Sequence, residues 1–303
     1  MVNTEIRIGN LKLDNPFIAA SGTYGFGREA AGMVDLSVWG GICSKGVTME
    51  PRKGNPPPRV AETPSGMLNS VGLQNPGVRA FIETELPFML AQKPAVIVNV
   101  AGSAAADYEA VCRLIDETDA PAIELNLSCP NVNAGCMSFG AEPTNVEAIT
   151  RLIRDLTDKT ILVKLTPNVT SIADAARAAE AGGADAVSLI NTLLGMAVDA
   201  ETRRPVLRNN TGGLSGPAVK PVALRMVQEV YRAVKIPIVG MGGISNAVDA
   251  AEFMIAGAAA VQIGTHNLIS PAAISDIVRD FSRWLAGHGF RSAAELTGTL
   301  QLW

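Results

Sequence analysis

Eight short apolar segments recur along this 303-residue chain, and they restrict the folds open to it more than any other feature. Each is almost continuously apolar, which is typical of a strand buried on both faces of a parallel sheet. Each also ends in polar residues or glycine. The segments are PFIAASG (16–22), VWGGICSKG (38–46), AVIVNVAG (95–102), AIELNLSC (122–129), ILVKLTPN (161–168), AVSLINT (186–192), PIVGMGG (237–243) and AVQIGTH (260–266).

Helical patterns lie between most of these segments. NVEAITRLIRDLTD (145–158) has apolar residues at helical spacing, and we predict Asn145 as its cap. IADAARAAEAG (172–182) ends on glycine, as helices commonly do, and residues 220–234 and 246–257 have the same form. Strands that alternate with helices in this way predict a (β/α)8 barrel, with an open doubly wound sheet as the alternative.

The remaining segments complete this prediction. The opening stretch MVNTEIRIGNLKLDNPF alternates like a β-hairpin. Two connections, residues 47–76 after the second strand and 193–216 after the sixth, are too long for plain barrel loops. Long loops at the carboxyl ends of barrel strands are where active sites are built. Since no linker divides the chain, we predict one domain over residues 1–303.

Composition excludes several classes of protein. Hydrophobic residues make up 48% of the chain and the net charge is −4, which argues against a disordered chain and against a basic surface for nucleic acid. No apolar run of about 18 residues and no signal peptide is present, so we expect a cytoplasmic protein without a membrane span. The two histidines and four cysteines have no metal-ligand spacing, so we predict no metal site.

Polar residues and glycines gather at the carboxyl ends of the predicted strands. Turn formation explains any one of them, but it does not explain lysines at strand ends within apolar sequence. Because these ends share one rim of a barrel, we predict a single pocket. The set comprises Ser21, Gly22, Ser44, Lys45, Gly46, Asn99, Asn126, Cys129, Lys164, Asn191, Thr192, Gly242, Gly243, Gly264 and Thr265.

Two features of this rim indicate a phosphorylated ligand. Lys45 and Lys164 must either pair with a carboxylate, such as Glu124, or face an anionic or electron-accepting ligand. The glycines that follow the seventh and eighth strands allow the backbone to approach a phosphate closely. A mononucleotide flavin is the natural candidate.

Cys129 follows the fourth strand among polar neighbours. A thiol there can act as a general base if its surroundings favour the thiolate, whereas most cysteines are small hydrophobic residues. The hydrophobic role suits Cys43, in an apolar strand, and Cys112, in a helical pattern. It suits Cys129 poorly.

The motifs NLSCPNV, SKGVT, LNSVGLQNPG, VKLTPNVT, INTLLGM, TGGLSGPAVKPVAL and GMGGI together resemble the class I dihydroorotate dehydrogenases, along nearly the whole chain. The loops most resemble the NAD-linked B form. The resemblance implies a (β/α)8 barrel that binds FMN and oxidises dihydroorotate to orotate in pyrimidine synthesis. It also implies that Cys129 removes a proton from C5 of the substrate while a hydride passes from C6 to flavin N5.

The resemblance assigns further roles at the rim, with Lys164 near the N1–O2 edge of the flavin. It implies substrate contacts from Lys45, Asn69, Ser70, Val71, Gly72, Leu73, Asn126, Asn131, Asn191 and Thr192. It implies FMN contacts from Ser21, Lys45, Gly46, Asn99, Asn126, Lys164, Ile190, Gly216, Gly242, Gly243, Gly264 and Thr265.

The electron acceptor is left open by the sequence. The B form implies a partner subunit that carries FAD and a 2Fe-2S cluster and joins a homodimer of this chain in a heterotetramer. The alternatives are a fumarate-dependent A form that acts alone and a phosphate-binding barrel without catalysis. Cys136 departs from the glycine expected in this loop; it is either a tolerated small residue or a thiol that oxidises reversibly with Cys129.

Overall fold

The computed structural model describes residues 2–128 and 139–303. Numbered along the chain, its strands are β1 (Ile6–Ile8), β2 (Leu11–Leu13), β3 (Phe17–Ala19), β4 (Gly41–Cys43), β5 (Val60–Thr63), β6 (Gly66–Asn69), β7 (Ala95–Val100), β8 (Ala122–Asn126), β9 (Thr160–Lys164), β10 (Ala186–Leu189), β11 (Leu193–Gly195), β12 (Val198–Asp199), β13 (Arg204–Pro205), β14 (Gly212–Ser215), β15 (Ile238–Met241) and β16 (Ala260–Ile263).

Helices separate these strands. They are α1 (Arg28–Ala31), α2 (Val78–Ala80), α3 (Leu86–Leu90), α4 (Ala105–Asp116), α5 (Pro143–Arg154), α6 (Ile172–Ala181), α7 (Lys220–Tyr231), α8 (Ala247–Ile255), α9 (Thr265–Ile269) and α10 (Ile274–Gly287). A π-helical turn, Phe81–Glu85, joins α2 to α3. Short 3-10 turns cover Leu36–Val38, Phe139–Ala141, Pro217–Val219, Pro271–Ala273 and Ala293–Leu296.

Within the described residues, eight parallel strands close into a barrel in the order β3-β4-β7-β8-β9-β10-β15-β16. One of them lies in each of the eight apolar segments, so the predicted (β/α)8 barrel is confirmed and the open sheet is wrong. Every residue of β8 and of β9 is buried. Both faces of these strands are covered, by the barrel interior and by the helices, which explains their unbroken apolar sequence.

The helix boundaries follow from local capping. The side chain of Ser171 accepts from the Asp174 N–H at the start of α6, which ends at Gly182 as predicted. Helix α5 begins at Pro143 rather than at an Asn145 cap, so that prediction is wrong. Proline fits the first turn because its missing N–H would have no partner within the helix there. Every helix of the described residues is too short or too polar to cross a bilayer.

The two long connections contain strands of their own. Strands β5 and β6 come from the connection after β4, and β11 and β14 come from the connection after β10. They form one antiparallel sheet in the order β11-β14-β6-β5, which we call the cap sheet. It joins two connections that are far apart in sequence, at the carboxyl ends of the barrel strands.

The predicted N-terminal hairpin is confirmed and lies at the opposite end of the barrel. Strands β1 and β2 pair antiparallel. The Asn10 N–H at its turn donates to Oγ1 of Thr160, the first residue of β9, over 3.2 Å. Ile8 and Leu13 are fully buried. The hairpin therefore closes the amino-terminal end of the barrel and leaves the carboxyl end for a ligand.

Candidate functional site

A cavity of about 470 Å³ opens at the carboxyl ends of the barrel strands, beneath the cap sheet. This volume lies in the range typical of cofactor and ligand sites. It is lined by eighteen of the predicted site residues: Ser21, Gly22, Lys45, Gly46, Asn69, Val71, Gly72, Leu73, Asn126, Lys164, Ile190, Asn191, Thr192, Gly216, Gly242, Gly243, Gly264 and Thr265. The structure therefore brings together residues that the sequence scatters over almost 250 positions.

Five predicted site residues are not among the described residues that line the cavity. Ser44 is fully buried, and its hydroxyl donates to the Lys45 carbonyl over 3.0 Å. Ser70 is fully buried behind the wall, and within the described residues its hydroxyl has no hydrogen-bond partner. Asn99 is fully buried beneath Asn126 and contacts that residue. Cys129 and Asn131 lie outside the described residues, as does Cys136.

One end of the cavity is built from closely packed backbone. Gly243 has a φ of +79°, and a Cβ there would lie 2.8 Å from the carbonyl oxygen of Gly216. A Cβ on Gly216 would in turn lie 2.8 Å from the Cα of Gly66, in the cap sheet. In the part of the chain that the structure describes, the N–H groups of Gly243 and Gly264 donate to no backbone carbonyl. Free N–H groups at such a backbone turn suit a phosphate.

The charged side chains on the cavity wall are all cationic. Lys45, Arg59 and Lys164 line it, and no aspartate or glutamate does so among the described residues. Burial lowers the pKa of Lys45, and the nearby Arg59 lowers it further, against a smaller opposing effect of Glu29. Like charges held together without an acid on the wall select for an anionic ligand.

Sequence patterns did not identify Arg59. It lies just before β5, in the long connection after β4, with no motif around it. Its guanidinium contacts the Gln74 side chain and donates to the Asn55 carbonyl over 3.4 Å. Because these contacts hold it beside Lys45 on the cavity wall, Arg59 joins the candidate site. The only signal in the sequence was the unusual length of the connection.

The sequence left open whether Lys164 pairs with a carboxylate or faces a ligand, and the structure shows that it both pairs with a carboxylate and lines the cavity. Its Nζ lies 3.9 Å from Oε1 of Glu124, which confirms the predicted carboxylate partner. It also lines the cavity and is 5% exposed. No such pair forms for Lys45 in the described residues. The two lysines therefore differ: Lys164 is held by an ion pair, whereas Lys45 is free to pair with a ligand.

Glu124 is fully buried inside the barrel, below the cavity. Burial acts to raise the pKa of its carboxyl, but the Lys164 charge and the hydrogen bonds from Gln262, Ser188 and Cys43 together bring that pKa below its ordinary value. The carboxylate is therefore ionised at neutral pH. Conversely, burial and the Glu124 charge raise the pKa of Cys43 well above its ordinary value, so this thiol stays protonated and donates.

A chain of hydrogen bonds leads from this carboxylate to the rim. The Asn99 amide donates to Glu124 over 2.7 Å, and the Asn126 amide donates to Asn99 Oδ1 over 3.4 Å. Ser128 Oγ then donates to Asn126 Oδ1 over 2.8 Å, and Asn191 Nδ2 donates to Ser128 Oγ over 2.6 Å. Because each amide has a fixed donor and acceptor, the chain fixes which atoms Asn126 and Asn191 present to the cavity.

The cavity residues fit FMN. The glycine-lined end suits its phosphate, the half-polar wall suits its ring system, and the cations suit its negative charge. A (β/α)8 barrel with this kind of site is consistent with the class of barrels that bind a phosphorylated flavin.

Comparison with known proteins is more specific. The family model described as dihydroorotate dehydrogenase matches residues 3–285. The chain is 52% identical over 301 residues, 99% of its length, to the whole of a protein of Thermoanaerobacter pseudethanolicus. It is 52% identical to a protein of Bacteroides fragilis and 53% identical to one of Phocaeicola vulgatus, each over 303 residues and the full length of both chains. All three are named dihydroorotate dehydrogenase B (NAD(+)), catalytic subunit.

The chain therefore belongs to the dihydroorotate dehydrogenase family. This confirms the predicted family, its likeness to the B form, and the predicted reaction class: flavin-dependent oxidation of dihydroorotate in pyrimidine synthesis.

Proposed function

We propose that this chain, as one FMN-binding domain over residues 1–303, oxidises dihydroorotate to orotate and passes the electrons to NAD through a partner subunit. The observation that carries the proposal is the cavity, where three cations and several oriented amides converge without an acid on the described wall. An anionic ring edged with amide groups is the ligand that such a wall complements.

In this proposal, the substrate is recognised by charge and by amide pairing. Lys45, with Arg59 beside it, pairs with the substrate carboxylate, because no described carboxylate of the protein forms an ion pair with Lys45 or lines the cavity. Asn69, Asn126 and Asn191 pair with the ring amides, supported by the residues of the 70–73 segment and Thr192. Asn131 would add a further amide from outside the described residues.

The flavin would be held by the remaining predicted contacts. Gly216, Gly242, Gly243, Gly264 and Thr265 would bind the phosphate through their backbone. The ring and its ribityl chain would contact Ser21, Gly46, Lys164 and Ile190, with Lys45 and Asn126 shared with the substrate. Asn99, which does not line the cavity, would act through its contact with Asn126. When bound, FMN supplies the hydride acceptor. Lys164, on the cavity wall, would supply a positive charge that favours the reduced, anionic flavin.

Cys129 is proposed as the base that removes the C5 proton. Its own position lies outside the described residues, so the proposal rests on the resemblance and on its neighbour. Ser128, the preceding residue, is fixed at the cavity rim by Asn126 and Asn191. The last described residue before Cys129 therefore contacts two of the proposed substrate amides.

The partner proposal rests on the names of the relatives, which specify NAD and a catalytic subunit. A subunit of that name requires another subunit. We propose that this partner carries FAD and a 2Fe-2S cluster and joins two copies of this chain in a heterotetramer.

The test is an anaerobic visible spectrum of the chain after reconstitution with FMN, recorded before and after addition of dihydroorotate. We expect a yellow protein that bleaches. We also expect Cys129→Ala to keep FMN but to slow bleaching by about 10²–10⁴-fold, the range for loss of a general base. Cys112→Ala, in helix α4, is the matched control and should bleach at the parental rate.

The outcomes separate the parts of the proposal. A colourless protein that does not take up FMN contradicts the flavin site. A yellow protein that does not bleach contradicts the substrate, and parental bleaching by Cys129→Ala contradicts the base. If added fumarate alone reoxidises the bleached protein rapidly, the partner is unnecessary and the fumarate-dependent alternative replaces it.

A further inference from the structure

Building on the proposed function, we propose that Glu124 is a positioning residue of the flavin site. Its carboxylate balances the Lys164 charge beneath the cavity and thereby limits how strongly the site favours reduced over oxidised flavin. Glu124 does not line the cavity and so acts through Lys164 and Asn99 rather than on the ligand itself.

The first observation is the completeness of the Glu124 site. The fully buried carboxylate accepts hydrogen bonds from side chains on four other barrel strands, and Lys164 comes from a fifth. The donors are Cys43 at 3.2 Å, Asn99 at 2.7 Å, Ser188 at 2.8 Å and Gln262 at 2.7 Å. A buried charge is costly unless it is paired and hydrogen-bonded, so this degree of satisfaction indicates that the carboxylate is held in its charged form.

The second observation is the order of the charges. Lys164 lies between Glu124 and the cavity, touching both. A ligand on the wall therefore meets a cation whose charge is largely offset by an anion directly behind it. Electrostatic effects are strong at this depth because water, which would screen them, is excluded. Neutralising Glu124 alone would leave the full Lys164 charge facing the flavin.

The third observation is the polarity of the amides. Since the Asn99 amide donates to Glu124, its Oδ1 faces the Asn126 amide. The carboxylate can only accept, so it prevents the reversed orientation of Asn99. Glu124 thus fixes both the charge and the hydrogen-bonding pattern beneath the cavity.

The experiment measures the FMN midpoint potential in Glu124→Gln, Lys164→Gln and the double variant, each reconstituted with FMN. We expect Glu124→Gln to raise the ratio of reduced-to-oxidised flavin affinity at least tenfold, a rise of about 30 mV for a two-electron couple. Lys164→Gln should lower the potential, and the double variant should lie between the two. Ser188→Ala, which removes one donor but no charge, should shift the potential by much less than about 30 mV.

A potential in Glu124→Gln that equals or falls below the parental value would overturn the proposal. Thermal unfolding of the flavin-free chains gives a second, independent test. Each single variant leaves one uncompensated buried charge or an unpaired partner, so each should lower Tm, and the double variant should recover part of that loss. If the two losses simply add, the residues are not a pair.

These readouts separate the two proposals. If the parental chain takes up no FMN, the proposed function fails, while the unfolding series still tests the charge pair. If every variant binds FMN and bleaches with dihydroorotate but the potentials do not move, only the role of Glu124 fails.

Discussion

Lys45, which we propose binds the substrate carboxylate, destabilises the ligand-free protein. Burial and the Arg59 charge lower its pKa, so the folded chain binds this proton more weakly than the unfolded chain does. The resulting destabilisation is fully present below the folded-state pKa. It is relieved as pH rises through that value towards the ordinary pKa of about 10.4.

We therefore expect Lys45→Met to raise the Tm of the flavin-free chain at pH 7, with a gain that shrinks as the pH approaches 10. The measurement is thermal unfolding across that pH range. Lys53→Met, at an exposed position in the same connection, should give no such gain. A gain independent of pH would instead assign the effect to packing of the methionine, and the charge argument would fail.

Gly243 combines a left-handed backbone with close packing, and the two effects can be separated. Gly243 has φ +79° and no room for a Cβ beside Gly216, whereas Gly289 has φ +80° and nothing within 4 Å. A non-glycine residue in this conformation costs roughly 1–2 kcal/mol. Gly289→Ala should lose about this amount of stability and keep its FMN affinity.

We expect Gly243→Ala to lose more stability than Gly289→Ala and also to bind FMN at least tenfold more weakly. Its Cβ would push apart the two turns proposed to hold the phosphate. Urea unfolding and FMN titration of both variants measure the two quantities. Equal FMN affinities would show that the phosphate does not depend on this turn.

At the scale of elements, the sequence predicts the barrel well and the cap sheet poorly. Strands such as β8 are buried on both faces, so their sequences are almost continuously apolar and can be recognised. Strand β14 reads Gly212–Ser215 and pairs with β6, about 145 positions earlier. Such short, glycine-rich, partly exposed strands have no periodicity, and their pairing depends on a fold that brings distant loops together.

The candidate site, too, has residues that the sequence predicts and residues that it does not. Residues at barrel strand ends, such as Lys164 and Gly243, could be predicted because the fold sends all these ends to one rim. Arg59 and Met67 line the same cavity from the cap sheet and its approach, where no local pattern marks them. Glu124 was foreseen only as a partner for a lysine. Its four hydrogen-bond donors come from strands that no sequence spacing relates.

Gly66 lies at a close backbone contact between two strands of the cap sheet. A Cβ there would lie 2.1 Å from the Ser215 carbonyl oxygen, across the β6–β14 pair. We expect Gly66→Ala to displace β14, to raise KM for dihydroorotate several-fold, and to cost about 1–3 kcal/mol, the usual range for overpacking. Trypsin cleavage after the exposed Arg203 should also become faster. Gly32→Ala, where a Cβ meets nothing within 4 Å, is the control.

At the scale of the whole molecule, the two ends of the barrel have different tasks. The cap sheet and the cavity occupy the carboxyl end, while the hairpin covers the amino end. The N-terminal segment is further tied to the other end of the chain: the Asn3 N–H donates to Arg291, and the Ala293 N–H donates to Asn3. Contacts at the amino end of such a barrel serve stability, whereas those at the carboxyl end serve the reaction.

Because the hairpin and the cavity lie at opposite ends of the barrel, we expect a substitution in the hairpin to change stability without changing FMN affinity or KM. Leu13 is fully buried and packs toward Gly41 at the start of β4. Leu13→Ala should lower the free energy of unfolding by about 2–5 kcal/mol, the range for a truncated buried leucine, measured by urea denaturation. FMN affinity and KM for dihydroorotate, measured below the unfolding transition, should stay at their parental values. Met33→Ala, at a 59% exposed side chain, should change neither the free energy of unfolding nor FMN affinity nor KM. If Leu13→Ala weakened FMN binding as well, strain at the amino end would be transmitted through the closely packed strands to the cavity, and the two ends would have to be treated as one coupled unit.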